Sequence, residues 1–427
     1  MAIDTHPILQ KLLTINDFDL SLDITKQVIK QLNICPTYPI ILVGGTNGKG
    51  STCAYLTNIL INAGYKVGTY TSPHVFNYTE RICINNQPID FDNLTQLLTQ
   101  IYNANQDQLG LFKTFTLAAH LYFIHQQIDI AIMEVGIGGL HDVTNLFEPD
   151  ISVITGIDYD HCHILGYSLD EIAIQKAGIF RANKWSFIGE NNPPQSLLNY
   201  ATTINTKLQI ANLDFGFKLR DNCFDVWCDH RGDQKNFLSL PLPALRGTKQ
   251  LNNATLAIAI LNKLSNLFPI SISAIKTGLI QTKIIGRFQL IPGLPQIILD
   301  VAHNSQAISH MLENMLKLPF AKNDYAIFGC RDDKDIVNII KQCRSRFSKW
   351  FIAPLNYKHS ITNKQLIQIM LDNNVAEEQI IACDSIESAC KLALASMTDK
   401  DRVSCFGSFL VVEEAYKTIN KIRSSTK

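Results

Sequence analysis

The sequence predicts an α/β protein of two domains, each built on a mostly parallel sheet, with a phosphate-binding loop in the first. Three observations point there. An apolar run over 40–43 breaks into a glycine-rich turn that opens a helix. Short apolar strands and helical stretches alternate again through the last third of the chain. The chain has 427 residues. At roughly 150 residues per domain, that length suits two or three domains.

Composition narrows the class. Hydrophobic residues make up 46% and charged residues 18%, ordinary for a globular enzyme with a core in each domain. Formal net charge is zero, so nothing in bulk electrostatics calls for nucleic acid or an anionic membrane as partner. No apolar run approaches a membrane span, and no basic-then-apolar leader opens the chain. Eleven cysteines are scattered without a CxxC pair, which suits reduced thiols better than a disulfide framework or a zinc site. A cytoplasmic, monomeric enzyme is the expectation.

Residues 1–39 read as a helical lead-in, with Ile8, Leu9, Leu12 and Leu13, then Ile24, Val28, Ile29 and Leu32. The run Ile40-Ile41-Leu42-Val43 suits a buried parallel strand. It breaks into Gly44-Gly45-Thr46-Asn47-Gly48-Lys49-Gly50-Ser51-Thr52, and Leu56, Ile59, Leu60 and Ala63 then share a helical face. Glycines let the backbone turn sharply and approach a ligand closely. The first N–H groups of the helix then face an anion, aided by the helix dipole. Lys49 supplies a mobile charge for the outer phosphates, and Ser51 or Thr52 a hydroxyl. A generic phosphate loop has a glycine six positions before the lysine, where Val43 stands, so the assignment rests on the strand-turn-helix context.

The next strand ends in Thr71-Ser72-Pro73-His74. Ligand groups collect at such strand ends, which makes Ser72 a candidate metal-ligating hydroxyl; a plain turn before Pro73 is the alternative. A hairpin is expected over 80–86, and helices near 91–103 and 114–127. The stretch 128–136 reads as a buried strand ending on Glu134. A carboxylate there rarely packs unpaired. Beside a triphosphate loop it can hold Mg2+, a hard cation that takes oxygen ligands.

A strand over 151–155 leads to Asp158, Asp160, His161, Cys162 and His163, a cluster too tightly spaced for a usual structural zinc site. Ser168-Leu169-Asp170-Glu171 starts a helix that runs to Gln175-Lys176-Ala177-Gly178-Ile179, where an exposed lysine is the default reading. Residues 184–245 alternate strands and a helix, with Cys223 and Cys228 as packing residues, and a helix opens over 247–254.

A boundary near 283–286 divides the chain into domains 1–284 and 285–427. Beyond it strands and helices alternate as in a parallel sheet with right-handed crossovers, without a second phosphate loop. This domain opens with Gly286-Arg287-Phe288-Gln289 and Asp300-Val301-Ala302-His303-Asn304. Alone, a surface arginine and a helix-capping asparagine would explain these segments.

Taken in order, these segments resemble the Mur ligase superfamily over nearly the whole chain. The branch most similar is that of folylpolyglutamate synthases and dihydrofolate synthases, where glycine follows the lysine as Gly50 does here. The resemblance implies a central sheet domain and a smaller Rossmann-like C-terminal α/β domain. The implied activity is ATP-dependent amide ligation, in which ATP phosphorylates a substrate carboxylate and the amine of L-glutamate attacks the acyl phosphate. Dihydropteroate would become dihydrofolate, and reduced folates would be extended.

The resemblance also implies site residues. Asn47, Gly48, Lys49, Gly50 and Ser51 would hold ATP, with Asn253 at adenine, Arg287 at phosphate and Asp300 at the nucleotide. Ser72, Glu134 and His161 would hold Mg2+. Lys49, His161 and Lys176 would be catalytic, and Lys176 matches a lysine carbamylated by carbon dioxide. Such a lysine must be neutral, which burial near other cations can bring about. Residues 19–23 fall at a substrate-facing loop, and Phe112, Lys113, His141, Asp142, Val143, Asn145, His303 and Asn304 at substrate contacts.

The chain departs from the pattern at the acceptor side. Phe112-Lys113 stands where relatives commonly have Phe-Glu, and Gly138-Gly139-Leu140-His141-Asp142-Val143-Thr144-Asn145 where they have Gly-Gly-Arg-Leu-Asp-Ala-Thr-Asn. One acid and one base are lost together, Lys113 and His141 bring replacement donors, and Asp142 and Asn145 are expected to bond a pterin ring. Three alternatives stay open. One is another Mur-type amino-acid ligase, although residues 1–39 are too short for the extra N-terminal domain those enzymes usually carry. The second is a phosphate-loop ATPase without ligase chemistry. The third is a binding module that has lost catalysis, against which Lys49, Glu134 and His161 stand.

Overall fold

The computed structural model describes residues 6–15, 21–105, 108–229 and 235–425. The loop expected over 19–23 therefore lies partly outside the described residues. The chain divides into two compact units, Met1–Ala244 with Thr248–Thr282, and Leu245–Gly247 with Lys283–Lys427. Among the described residues no helix is long and apolar enough to cross a membrane.

The first unit opens with helices α1 (Pro7–Thr14) and α2 (Asp23–Gln31), then β1 (Ile40–Gly44), α3 (Lys49–Asn62) and β2 (Val67–Tyr70). The short strands β3 (Ile82–Ile84) and β4 (Gln87–Pro88) form the expected hairpin, followed by α4 (Phe91–Asn105), α5 (Leu111–Gln126) and β5 (Ile130–Glu134). Next come β6 (Ile151–Ile154), α6 (Cys162–Leu165), α7 (Leu169–Ala177), β7 (Trp185–Ile188), α8 (Gln195–Thr203) and β8 (Lys207–Ile210). An antiparallel sheet of β9 (Phe215–Leu219), β10 (Cys223–Cys228) and β11 (Lys235–Pro241) precedes α9 (Thr248–Lys263) and α10 (Ile272–Gln281).

The main sheet has the order β4-β3-β2-β5-β1-β6-β7-β8. Only β3 and β4 at one edge run antiparallel. β1 pairs in parallel with β5 on one side and β6 on the other, which aligns Val43 with Glu134 and with Val153. All five β1 residues are buried, because helices cover both faces of a parallel sheet. α3 packs on α10, where a Cβ on Gly278 would lie 2.7 Å from the Ile59 side chain, so only glycine admits this approach. α7 begins as expected: Ser168 Oγ accepts from Glu171 N, and Glu171 Oε2 accepts from Ser168 N.

The second unit carries β12 (Gln289–Ile291), β13 (Gln296–Leu299), α11 (Ser305–Leu316), β14 (Asp324–Phe328), α12 (Ile336–Cys343) and β15 (Lys349–Ile352). It closes with α13 (Asn363–Asp372), β16 (Ile380–Ala382), α14 (Ile386–Ser396), β17 (Arg402–Phe406) and α15 (Phe409–Ser425). Its sheet has the order β12-β13-β17-β14-β15-β16, parallel except for β12. Trp350, Phe328, Phe347 and Phe406 pack edge-on and tilted at its centre.

Candidate active site

The loop after β1 is shaped by glycine. Gly45 has φ 137° and Gly48 φ 93°, and a Cβ on Gly45 would sit 2.1 Å from Thr155 Oγ1. That hydroxyl instead donates to Asn47 O at 2.7 Å, which ties the loop to the end of β6. Thr46 N also donates to Gly156 O at 2.8 Å. Gly48 is the N-cap of α3, and no side chain caps the helix. The first N–H groups of α3 therefore lack an intrahelical acceptor, an arrangement that suits an anion. Lys49 Nζ folds over the loop and donates to Gly45 O at 2.9 Å and Thr46 O at 3.3 Å. Ser51 is buried behind it, and Asn253 on α9 lies against Gly48, its Oδ1 2.8 Å from where a Cβ would stand.

One strand away, β5 ends on Glu134, which is 4% exposed. Its Oε2 accepts from Ser72 N at 3.0 Å, so the residue after β2 and the carboxylate meet. His161 follows β6, on the other flank of β1, in a left-handed backbone conformation with its N–H donated to Asp160 Oδ1. Among the described residues no group of three or more His, Cys, Asp or Glu side chains would hold a metal by itself. A magnesium ion needs no such cage: one or two carboxylates suffice when nucleotide phosphates supply further oxygens. The oxygen donors of Ser72 and Glu134 fit that role.

Lys176, in the last turn of α7, is 3% exposed rather than on the surface. Burial, joined by the charge of Lys49, pulls its pKa down to about 7, with Asp160 and Glu190 opposing. Glu190 closes β7, and its Oε1 accepts from Ile157 N at 2.9 Å. Burial raises the Glu190 pKa. Glu190, Lys249, Asn252 and Thr255 line a cavity of about 290 Å³ at the ends of β7 and β8. In sheet order this cavity lies on the opposite side of β1 from Glu134.

At the acceptor side the structure shows what each expected residue bonds within the chain. Phe112 lies over Gly136, where a Cβ would be 2.5 Å from its ring, and faces Tyr70 at 5.9 Å between centroids. Lys113 is buried, and its Nζ donates to Ser21 O at 3.0 Å. Val143 is buried and His141 exposed. The Asp142 carboxylate is engaged within its own loop: Oδ2 accepts from Gly136 N and Ile137 N, and Oδ1 from Thr144 N and Thr144 Oγ1. Those four bonds use the carboxylate's lone pairs to shape the loop after β5. Asn145 donates to Leu140 O and Gly178 O, and its Oδ1 accepts from Arg181 Nη2 at 2.9 Å.

Asp142→Ala would strand four donors in a buried loop, and is expected to lower stability by roughly 3 kcal/mol or more. Denaturant unfolding measures this; a midpoint unchanged from wild type would contradict the structural role.

The opening of the second unit is locally strained. Gly286 has φ 72° and Phe288 φ 45°. Asp300 secures this turn, Oδ2 accepting from Phe288 N and Oδ1 from Ala302 N. Burial pushes the Asp300 pKa up to about 6, opposed by the charge of Arg287. The Arg287 guanidinium lies 5.5 Å from the Phe409 ring centroid. His303 Nδ1 lies 2.8 Å from Val301 O. Asn304 caps α11, its Oδ1 accepting from Ala307 N at 3.0 Å.

Comparison with known proteins adds to this geometry. Residues 43–261 match the Mur ligase middle domain, and residues 286–409 the Mur ligase glutamate ligase domain. The chain is 34% identical over 411 residues to the dihydrofolate synthase/folylpolyglutamate synthase of Escherichia coli, covering 96% of this chain and 93% of that one. It is 32% identical to the enzyme of the same name from Haemophilus influenzae, covering 94% of each. The chain belongs to the Mur ligase family, in its dihydrofolate synthase/folylpolyglutamate synthase branch.

Solved structures of the branch agree in fold. E. coli FolC in complex with DHPP and ADP superposes with a TM-score of 0.90 at 32% identity, over 98% of this chain and 99% of that one. A bifunctional folylpolyglutamate synthase/dihydrofolate synthase with Mn, AMPPNP and L-glutamate bound gives 0.87 at 31%, over 97% and 98%. Against this family frame, sequence reasoning missed Thr155, which ties the loop to β6, and Glu190, which closes β7 beside Lys176. They follow the neighbouring strands β6 and β7, and that strand-end position was their one signal in the sequence.

Proposed function

We propose that the protein is an ATP-dependent, ADP-forming ligase that joins L-glutamate to dihydropteroate, giving dihydrofolate, and that it also extends reduced folates. The observation that carries the reading is the uncapped N-terminus of α3 with Lys49 folded over it, one strand from the buried Glu134 and its bond to Ser72 N. That arrangement holds phosphates on one side and offers hard oxygen ligands beside them. Family membership supplies the acceptor and the amine.

In this reading the triphosphate lies along the loop, with its outer phosphate towards Ser72 and Glu134 and its nucleoside towards Asn253. Magnesium held by those oxygens would neutralise phosphate charge. A carboxylate oxygen of the acceptor attacks the γ-phosphorus and ADP departs; the glutamate amine then attacks the acyl carbon and phosphate departs. Lys49 neutralises charge that develops on the transferred group, and the N–H groups of α3 hold its neighbours in place. Arg287 and Asp300 are assigned to nucleotide on the strength of the family motifs.

Phosphate release with ATP and L-glutamate tests the reading, comparing dihydropteroate, tetrahydrofolate and a muramyl-nucleotide acceptor. Release with dihydropteroate, and to a lesser extent tetrahydrofolate, is the expected result. Release only with the muramyl nucleotide would move the protein to another Mur activity. Release that ignored every acceptor and glutamate would make it an ATPase.

A further inference from the structure

His74 stands two residues beyond Ser72, and its imidazole has a hydrogen-bonding role that its neighbours dictate. Arg81 Nε donates to His74 Nδ1 at 3.0 Å. A guanidinium has no acceptor atom, so Nδ1 must carry the lone pair and the ring hydrogen must sit on Nε2. Among the described residues nothing bonds Nε2, and the atom is not sealed from solvent. The ring thus presents one committed donor with no partner among the described residues.

The surroundings hold that donor still. Arg81 is buried, its guanidinium carbon 5.6 Å from the Tyr78 ring centroid and 5.4 Å from that of Phe115. The His74 ring packs on Tyr78 at 4.2 Å between centroids. Glu80 clamps the segment after His74, its carboxylate accepting from the N–H groups of Val75, Phe76 and Asn77 at 2.9 to 3.1 Å. The turn is therefore tied by contacts within the chain itself.

Its position gives the donor a purpose. In sheet order β1, β5 and β2 are neighbours, so the turn after β2 lies beyond Glu134 as seen from the phosphate loop. Ser72 N bonds Glu134 on the near side of this turn, and Phe115, which packs on Arg81, sits one turn along α5 from Phe112. His74 thus lies between the oxygen pair that faces phosphate and the helix that starts the acceptor side.

We propose that His74 Nε2–H donates a hydrogen bond to the carboxylate of the acceptor substrate, with Arg81 as the residue that positions it. This rests on the ligase reading above. A carboxylate only accepts, so the fixed tautomer matches it, and the carbonyl oxygen of the acyl phosphate can keep the same bond once a phosphoryl group is added. The acceptor is held in place through both steps.

The test compares wild type, His74→Ala and His74→Gln, measuring kcat and KM for dihydropteroate and the affinity for an ATP analogue. His74→Ala should lower kcat/KM for the acceptor roughly 10- to 100-fold, the worth of a hydrogen bond to a charged group, with nucleotide affinity unchanged. His74→Gln, which keeps an N–H near the Nε2 position, should recover most of that loss. Two-bond 15N–1H spectra of labelled histidine should show the Nε2–H tautomer for His74, with a shift on adding acceptor but not on adding nucleotide. Wild-type turnover in the same assay checks the ligase reading separately. With that turnover present, an unaltered His74→Ala, or an Nδ1–H tautomer, overturns the role of His74 and leaves the ligase intact. Equal losses in both variants, together with lost nucleotide affinity, reduce His74 to a structural residue.

Discussion

Lys49→Ala is expected to lower ligase turnover by roughly a hundredfold or more, the loss seen when a preorganised group facing developing charge is removed. The fold should survive. Lys49 Nζ is half-exposed and bonds only to carbonyls of its own loop, while the turn is held by glycine conformations and by Thr155. Binding of an ATP analogue should weaken less than turnover falls, because the N–H groups at the start of α3 remain to hold phosphate. A Lys49→Ala protein that is folded and turns over near the wild-type rate would remove the phosphate loop from the mechanism.

The second large effect is expected at Lys176, where burial and the neighbouring Lys49 charge bring the pKa to about 7. At pH 8 such an amine is about nine-tenths neutral, whereas a solvated lysine is neutral in about one copy in three hundred. A neutral amine can add to carbon dioxide: its nitrogen bonds the carbon, one proton leaves, and a carbamate anion remains. Lys176→Ala should therefore turn over weakly and be partly rescued by acetate, a small carboxylate that can occupy the same place. Wild type in 13C-labelled carbon dioxide should show a carbamate signal that the variant lacks. Acetate without effect and no carbamate signal, with electron density for a bare amine, would end the idea.

The same shift gives a stability prediction with a definite sign. Between pH 7 and 10.5 the unfolded chain holds a proton on Lys176 that the folded chain has largely released. Stability from this group therefore rises with pH across that window, and the cost of the buried ammonium is fully present below pH 7. Lys176→Met should be more stable than wild type by a few kcal/mol at pH 6, and the gap should close towards pH 10.

Local chemistry made part of this protein legible before its fold was known. The phosphate loop could be read because its form depends on residues close in sequence: glycines that accept positive φ, an apolar strand before them and an amphipathic helix after them. The Ser168 capping box and the turn between β3 and β4, where Asn85 and Asn86 take positive φ, are local in the same way. The alternation of strand and helix in the second unit was visible for a related reason, since each element carries its own periodicity.

What the sequence determined by itself was therefore the α/β class, the phosphate loop, the carboxylate that ends β5 and, through its ordered motifs, the family. Tertiary structure alone decided what the polar residues near that loop do. Asp142 and Asn145 read as ligands for a pterin; the fold shows that they also hold the loop after β5 and Arg181 in place. Asn304, read alone as a helix cap and by resemblance as a substrate contact, does cap α11. Lys176 taken alone read as a surface lysine, and by resemblance as a neutral one; it is buried, and burial, then Lys49, Asp160 and Glu190, set its charge state. The physical reason is one of range. Backbone conformation is settled by neighbours in the chain, but a polar side chain's role depends on which donors, acceptors and charges surround it, and folding brings those from distant strands.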